Sequence, residues 1–293
     1  MADLTAEVKE FAKQAGADLV GVAPMERFDG VPPERSPRSI SPEATSVVVI
    51  GRRITRGTLR GTEEGTNLEL YGQFGVSWLN QQFLALTTCE VTEWLEDRGW
   101  EATPLFPFPP EAYPQGIAVR AGAPAPNVYP DFDHAAIAAG LAEMGYLGVA
   151  LTPQFGHRQR WQLIITDAPL EGDPLLDAGL AEVCRDCADA CPVGALHPDR
   201  EQTLTIAGRE FTVAGIDYSL CRSCRNGARP NPYHPSGKPD RLAAVCMRTC
   251  MMALEASGKL ESSFATPFRV RPAWGFDRAG DPVEPASCQG GGE

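Results

Sequence analysis

The cysteines of this chain are gathered into one stretch and are spaced like the ligands of a metal cluster. Seven of the nine lie between Cys184 and Cys250. Three of them form the pattern Cys184-x2-Cys187-x3-Cys191-Pro192, a spacing typical of iron–sulfur ligands. A complete run has one more cysteine three residues earlier, and this chain has Ala181 there. The spacing predicts an iron–sulfur cluster that lacks one local ligand.

A second group of cysteines follows in two pairs, Cys221-x2-Cys224 and Cys246-x3-Cys250. The sequence predicts a helix that opens at Pro239 and Leu242 and closes near Gly258. Residues four apart share one face of a helix, and proline is well tolerated in a first helical turn. We therefore expect both thiols of the second pair to point toward the first group.

Pro192, directly after Cys191, indicates which cysteines bind the same cluster. In two-cluster ferredoxins the cysteine before this proline binds the other cluster. This crossover assigns four thiolates to one complete [4Fe–4S] cluster: Cys191, Cys221, Cys224 and Cys246. The other cluster receives Cys184, Cys187 and Cys250, and it needs a fourth ligand because Ala181 stands in the local motif.

Three explanations compete for the missing ligand. Cys288 can fold back from the C-terminal tail as the fourth thiolate, which leaves Cys89 as the odd cysteine. Alternatively, His197 or a water molecule takes the open iron, or the site holds a three-iron cluster. An open iron would bind a substrate directly, as an exchangeable metal position must.

Two simpler interpretations concern the same cysteines. Paired Cys-x2-Cys groups also build structural zinc sites. The run from Cys191 to Ala195, Cys-Pro-Val-Gly-Ala, weighs against zinc because that proline accompanies ferredoxin clusters. We interpret Cys89, which lies near Leu86 and Leu95 in a predicted helix, as a small buried apolar residue.

Charge and composition indicate a globular protein that does not bind nucleic acid. The net charge of -12 would repel a polyanion. Basic residues near the second cysteine group are interpreted as solvated side chains around an anionic cluster: Arg222, Arg225, Arg229, Lys238 and Arg241.

No apolar run approaches the ~20 residues of a membrane span, and the start lacks the pattern of a signal peptide. We therefore expect no membrane segment and a cytoplasmic location, where thiols are kept reduced.

Apolar periodicity predicts a mixed α/β (α+β) fold. Strands are predicted at 18–23, 46–50, 147–151 and 161–166, and helices at 78–98 and 135–144. Apolar runs that alternate with amphipathic helices favour a sheet covered by helices. We place a cofactor-binding domain at 1–175, an iron–sulfur domain at 176–262 and a Pro/Gly-rich tail at 263–293.

Three segments precede the cysteine groups in a fixed order: Gly140-Leu141-Ala142-Glu143-Met144-Gly145, then Leu151-Thr152-Pro153-Gln154-Phe155-Gly156-His157-Arg158-Gln159-Arg160, then Ile165-Thr166-Asp167. With the cysteines they cover roughly residues 125 to 255, and they resemble the epoxyqueuosine reductase and reductive dehalogenase superfamily. The opening from Phe11 to Ala23 also looks like the first helix and strand of that superfamily.

This resemblance implies a nitroreductase-like N-terminal domain that holds a base-off cobalamin, and a C-terminal two-cluster ferredoxin-like module that feeds it electrons. The cobalamin would reduce a small organic substrate. A ferredoxin- or flavodoxin-type protein would be the electron donor. Two other functions fit the same residues: a non-catalytic electron-transfer protein, and a flavin-dependent reductase of the same fold.

The resemblance also implies a proton donor ahead of the helix at 135–144. The candidates are Tyr129, Asp131, Asp133 and His134. Each has an ordinary alternative, because aspartate often caps a helix, a tyrosine packs its ring and bonds its hydroxyl, and a histidine can lie on the surface. Arg158 and Arg160 are candidates for contacts with corrinoid amide or phosphate groups, with a surface salt bridge as the alternative.

Overall fold

The computed structural model describes residues 3–106, 116–230 and 238–287, except the side chains of Cys184 and Asp186. The α-helices in these ranges are Leu4–Gln14 (α1), Arg60–Glu63 (α2), Leu84–Glu96 (α3), Phe132–Ala138 (α4), Tyr218–Ser223 (α5) and Val245–Ala256 (α6). The strands are Leu19–Pro24 (β1), Ser46–Arg53 (β2), Ala102–Leu105 (β3), Glu143–Met144 (β4), Ala150–Leu151 (β5), Gln159–Thr166 (β6), Leu196–Ile206 (β7), Arg209–Ile216 (β8), Gly275–Phe276 (β9) and Pro282–Val283 (β10). Shorter helical turns lie at Tyr71–Ser77, Leu79–Phe83, Ala181–Cys184 and Asp186–Ala190.

One four-stranded sheet forms the centre of the N-terminal region, in the order β1-β2-β6-β3. Its neighbouring strands are all antiparallel. The middle of β2 is buried on both faces, because the side chains from Val47 to Ile50 are all inaccessible to solvent. A strand that is covered on both faces appears in sequence as a continuous apolar run, which is why this strand was recognisable.

Helices cover both faces of this sheet. On one face, α1 and α3 bring Val8 and Leu95 into one apolar cluster with Val48. On the other face, the small side chains at 135–139 pack into a cluster that contains Val49. The predicted mixture of helix and covered sheet is confirmed, and the antiparallel pairing makes it α+β. None of the helices in the described ranges is long and apolar enough to span a bilayer.

The helix predicted over 135–144 is shorter than expected, and that part of the prediction is wrong. α4 ends at Ala138, and Gly140 follows with a φ of +71°. A Cβ at Gly140 would lie 2.0 Å from the carbonyl oxygen of Pro174, so this left-handed and crowded position requires glycine. The chain then forms the ladder of β4 with β5, and the strand predicted at 147–151 begins only at Ala150.

Two other predicted helices are present with shifted starts. The helix expected over 78–98 contains α3, and π-helical turns extend it backward to Tyr71. The helix expected from Pro239 begins at Val245 and ends at Ala256. It carries Cys246 and Cys250 one turn apart, as the sequence predicts.

A long hairpin of β7 and β8 ties the cysteine region to the central sheet. Ile206 and Phe211 near its tip join the apolar cluster of α4. Leu196 and Ala214 near its base join a second cluster, which contains the buried residues of α6. The hairpin therefore spans from one core to the other.

A buried ion network joins three distant segments. Glu63 in α2 accepts a hydrogen bond from Nε of Arg248 in α6 at 2.5 Å and another from Nε of Arg269. Arg269 also donates to Oγ1 of Thr249 at 3.1 Å. Burial raises the pKa of Glu63, but the two guanidinium groups outweigh this effect and hold the pKa below its usual value. The carboxylate is therefore ionised and paired at neutral pH.

We expect Glu63→Ala to lower the free energy of unfolding by about 3–5 kcal/mol, because two buried guanidinium groups would lose their shared carboxylate. Glu64→Ala is the matched control. The partners of Glu64 are Arg60 and Arg271, whose side chains are 39% and 70% exposed, and such surface pairs contribute about 0–1 kcal/mol. Urea unfolding followed by far-UV circular dichroism measures both; equal losses would contradict this account of the network.

Candidate functional site

Four cysteines from different elements come together in the cysteine region: Cys191, Cys221, Cys224 and Cys246. Cys191 follows the turn Asp186–Ala190 in an extended conformation, and its sulfur accepts a hydrogen bond from the N–H of Ala195 at 3.2 Å. Cys221 lies in α5 and Cys224 caps the end of that helix, where its sulfur accepts from the N–H of Asn226 at 3.4 Å. Cys246 lies in the first turn of α6. The sulfurs are thus positioned by short, locally capped helices.

Packing brings these four cysteines near one another, because Cys191 and Cys224 pack against the apolar cluster that contains Cys221, and Cys191 also packs against the cluster that contains Cys246. Burial raises the pKa of Cys246 to about 12 and that of Cys221 to about 11; Arg241 lowers both, and the other cysteines of the group raise them further. Burial and the charge of Cys191 also raise the pKa of Cys224. Ionising any one of these thiols is therefore unfavourable without a compensating positive charge. A soft metal centre is the group that stabilises clustered thiolates.

The structure describes only some of the predicted ligands of the other cluster. Cys187 and Cys250 are fully buried in the core that also contains Cys246. Cys250 is disulfide-bonded, so the bond must be reduced before its thiolate can bind a metal. The side chain of Cys184 and the whole of Cys288 lie outside the described residues. The ligands of this cluster therefore stay a prediction.

Two further observations bear on metal binding. Within the ranges that the structure describes, no group of three or more His, Cys, Asp or Glu side chains forms a site for a single metal ion. His197, the non-cysteine candidate ligand, lies in β7 with its Nδ1 3.9 Å from Asp199.

The interpretation of Cys89 as a buried residue is wrong. The side chain is exposed on α3. Its thiol donates to Oε1 of Glu93 at 3.4 Å, and this hydrogen bond, with smaller contributions from burial and nearby charge, raises the thiol pKa. The periodicity placed Cys89 in the right helix but on the wrong face.

A cavity of about 410 Å³ lies between the central sheet and the cysteine region. Its wall includes parts of β5, β6, β7 and β8, and Tyr218 and residues 238–242 connect it to the elements that carry the four cysteines. This volume is typical of sites for small molecules and cofactors. Three predicted catalytic residues lie in the wall: Tyr129, Asp131 and Asp133.

Asp133 has the protonation behaviour of a general acid. Burial raises the pKa of Asp133 to about 6 and the charge of Asp131 adds to this, whereas the N–H of Ala150, Arg160 and the Trp161 indole lower it. The N–H of Ala150 donates to its Oδ2 at 3.3 Å. A carboxyl with this pKa can release and regain a proton near neutral pH.

The other candidates have different surroundings. Asp131 is the N-cap of α4 and accepts a hydrogen bond from the N–H of His134 at 3.0 Å, so its alternative role as a cap is present. Tyr129 stacks on Phe132 with 5.3 Å between ring centroids, and burial raises its pKa well above the usual value. His134 is not part of the described wall; its ring stacks on Phe28, its Nε2 is buried without a partner, and burial lowers its pKa.

The two predicted cofactor-binding arginines also differ in position. Arg160 lines the cavity, and its Nη2 donates to the hydroxyl of Tyr71 at 2.7 Å and to the carboxylate of Asp240. The hydroxyl of Tyr71 donates to Asp240 at 2.8 Å, which completes a buried triad. Arg158 lies outside the wall and donates to the carbonyl of Ile54 at 3.1 Å. Neither arginine forms a salt bridge at the protein surface.

Sequence reasoning missed several polar residues of the wall. Four buried polar atoms of the wall have no hydrogen-bond partner in the described structure: Asn80 Oδ1, His157 Nδ1, Trp161 Nε1 and Arg241 Nη1. Burial lowers the pKa of His157 to about 3, so the ring is neutral and its Nε2 donates to the carbonyl of Leu242 at 3.2 Å. Its Nδ1 is then an unused acceptor. The sequence signals for these residues were that His157 lies in the segment 151–160 that carries the resemblance, and that Arg241 precedes the second cysteine pair.

Parts of this chain are similar in sequence to known enzymes. A chloroethene reductive dehalogenase from Dehalococcoides mccartyi (strain VS) is 38% identical over 93 residues, which are 29% of this chain and 18% of that protein. A tetrachloroethene reductive dehalogenase from Desulfitobacterium hafniense is 39% identical over 69 residues, which are 22% of this chain and 12% of that protein. No family model matches the chain.

The likeness in fold extends over most of the chain. A catabolic reductive dehalogenase solved in complex with 3-bromo-4-hydroxybenzoic acid superimposes with a TM-score of 0.52 and 16% identity, over 86% of this chain and 34% of that chain. Another reductive dehalogenase structure gives 0.50 and 18%, over 84% of this chain and 30% of that chain. This chain thus spans about a third of their length. The relatives reported for local sequence and those reported for fold are all reductive dehalogenases. This confirms the resemblance that the sequence indicated.

Proposed function

We propose that this protein is a cobalamin-dependent iron–sulfur reductase, in which two clusters pass single electrons to a corrinoid that reduces a small organic substrate. The observation that carries this proposal is the cavity wall, because it joins the acidic Asp133 to the segments that hold four grouped cysteines. The likeness to reductive dehalogenases supports it. One of those structures suggests a mechanism for B12-dependent dehalogenation of its own substrate.

The four grouped cysteines fit a [4Fe–4S] cluster by their chemistry. Thiolates are the ligands that these clusters take, and hydrogen bonds to sulfur tune them. Two such bonds are in place, from Ala195 to Cys191 and from Asn226 to Cys224. The second cluster would take Cys184, Cys187 and Cys250, with Cys288, His197 or solvent as the fourth ligand.

The cavity wall fits a group with polar edges. A buried polar atom without a partner costs about 1–3 kcal/mol, and the wall has two such donors, on Trp161 and Arg241, and two acceptors, on Asn80 and His157. The amide side chains of a corrinoid both donate and accept. A corrinoid is larger than the cavity's 410 Å³, so only part of the corrinoid would lie inside the cavity. Arg160 is the better placed of the two predicted arginines for contacts there.

A bound corrinoid supplies the reducing chemistry, and the residues of the wall supply the proton and the surroundings. Asp133, with its pKa of about 6, holds a transferable proton at Oδ1 or Oδ2 near neutral pH. Asp131 keeps that pKa high through its negative charge. Tyr129 stays protonated at neutral pH, since burial raises its pKa.

Electrons would enter at the cluster of Cys184, Cys187 and Cys250 from a ferredoxin- or flavodoxin-type donor. The reason is that Tyr218 and residues 238–242, which border the cavity, flank the cysteines of the other cluster. That cluster would then be the one that hands electrons to the cavity. An exposed, free Cys89 suits the reducing cytoplasm, where we place the protein.

We expect anaerobic protein reconstituted with iron and sulfide to bind about eight iron atoms, as two four-iron clusters, and to give a base-off absorption spectrum when cobalamin is added. Iron analysis, electron paramagnetic resonance and visible absorption measure these properties. Clusters with bound flavin would instead indicate a flavin-dependent reductase. Clusters without any corrinoid bound at high cobalamin concentration would indicate an electron-transfer protein.

The role of Asp133 gives a separate test. We expect the infrared band of its protonated carboxyl to titrate with a midpoint of about 6 and to be absent in Asp133→Asn. In the loaded enzyme, Asp133→Asn should lower kcat about 10²- to 10⁴-fold, and wild-type activity should fall as the pH rises through 6 because the acid form is lost. The first probe substrate is 3-bromo-4-hydroxybenzoic acid, which a relative binds.

Asp131→Asn is the matched control for this experiment. Asparagine also caps helices well, so α4 should persist. Loss of the negative charge should move the Asp133 midpoint below 6, because Asp131 raises that pKa. Unchanged turnover in Asp133→Asn would reject the assignment of the proton donor.

A further inference from the structure

Arg241 is a buried cation without an anionic partner. Only 6% of its surface is exposed. Its Nη2 donates to the carbonyl oxygen of Leu147 at 2.7 Å, and its Nη1 is buried with no hydrogen-bond partner. No Asp or Glu among the described residues forms an ion pair with it, since the neighbouring Asp240 is used by Tyr71 and Arg160. The interpretation of Arg241 as a solvated side chain is therefore wrong.

A buried guanidinium that lacks a counter-charge is strongly unfavourable. The other buried arginine of this region, Arg248, illustrates the usual solution, because Glu63 pairs with it at 2.5 Å. For Arg241, the groups at hand that become anionic when a metal binds are the cysteine sulfurs. Its guanidinium lies over the ring of Tyr218, which belongs to the same short helix as Cys221, and Arg241 precedes Cys246 by five residues.

The same guanidinium group also borders the cavity. Arg241 is part of the wall, as is Tyr218, whose ring lies 5.7 Å from the guanidinium carbon. Arg241 therefore stands where the cavity wall meets the four grouped cysteines. A cluster bound by four thiolates carries net negative charge, which increases on reduction, and a nearby buried cation stabilises the reduced form more than the oxidised form.

We propose that Arg241 is a positioning residue whose buried positive charge raises the reduction potential of the cluster bound by Cys191, Cys221, Cys224 and Cys246. The step it controls is the arrival of one electron at the cluster that borders the cavity. This inference rests on the proposed function, because it requires iron at those four cysteines.

The test is a redox titration of the reconstituted protein, followed by electron paramagnetic resonance. We expect Arg241→Gln to shift the oxidised-to-reduced equilibrium of one cluster at least tenfold toward the oxidised form, which is 59 mV for one electron. The other cluster should keep its potential. Arg241→Lys, which retains the charge, should keep most of the wild-type potential.

Arg225→Gln is the matched control, because Arg225 is adjacent to Cys224 in sequence but is exposed. Water screens an exposed charge, so this variant should leave both potentials unchanged. A shift as large in Arg225→Gln as in Arg241→Gln would overturn the proposal, since it would reflect net charge rather than a buried cation.

The remaining outcomes of these experiments also test the proposed role of Arg241. Unchanged potentials in Arg241→Gln overturn the proposal. If Arg241→Gln assembles no cluster, Arg241→Lys decides: assembly at near wild-type potential supports a role for the charge, and failure of both variants contradicts it. A wild-type protein that binds no iron would instead refute the proposed function itself.

Discussion

Four cysteines packed in and against two adjoining apolar clusters are the constraint on which the rest of this structure depends. Burial and mutual repulsion raise the pKa values of Cys221 and Cys246 to about 11 and 12, so four thiolates are stable there only beside a positive charge. The N–H donor that follows Cys224 and the buried charge of Arg241 reduce that cost. In the proposed function, a bound iron–sulfur cluster would remove most of it.

The same elements also build the cavity. Tyr218 precedes Cys221 by three residues, and Asp240 and Arg241 precede Cys246 by six and five residues, so the segments that hold the sulfurs supply one part of the wall. The triad of Tyr71, Arg160 and Asp240 fixes that part to the central sheet through hydrogen bonds. The carboxyl of Asp133 belongs to the same wall. In the proposed function, this single packing arrangement brings a source of electrons and a source of protons to one cavity.

Local patterns in the sequence were enough to predict the strand at Ser46 and the helix that carries Cys246 and Cys250. The family resemblance supplied four residues of the cavity wall: Tyr129, Asp131, Asp133 and Arg160. Contacts between distant segments were not predictable in this way. The end of α4 depends on the carbonyl of Pro174 against Gly140, and the triad at Asp240 joins three segments that are far apart in sequence. Helical periodicity placed Cys89 in α3 but did not tell which face is buried. Arg241 looked like any surface arginine, because only the fold shows that it has no carboxylate partner.

The most direct test of this account is an anomalous diffraction measurement on crystals grown without oxygen from reconstituted protein. Data collected on either side of the iron absorption edge should show iron density enclosed by the sulfurs of Cys191, Cys221, Cys224 and Cys246. Anomalous density at the zinc edge alone, or disulfide bonds among these four cysteines with no metal between them, would contradict the central claim that they form an iron–sulfur site beside the cavity.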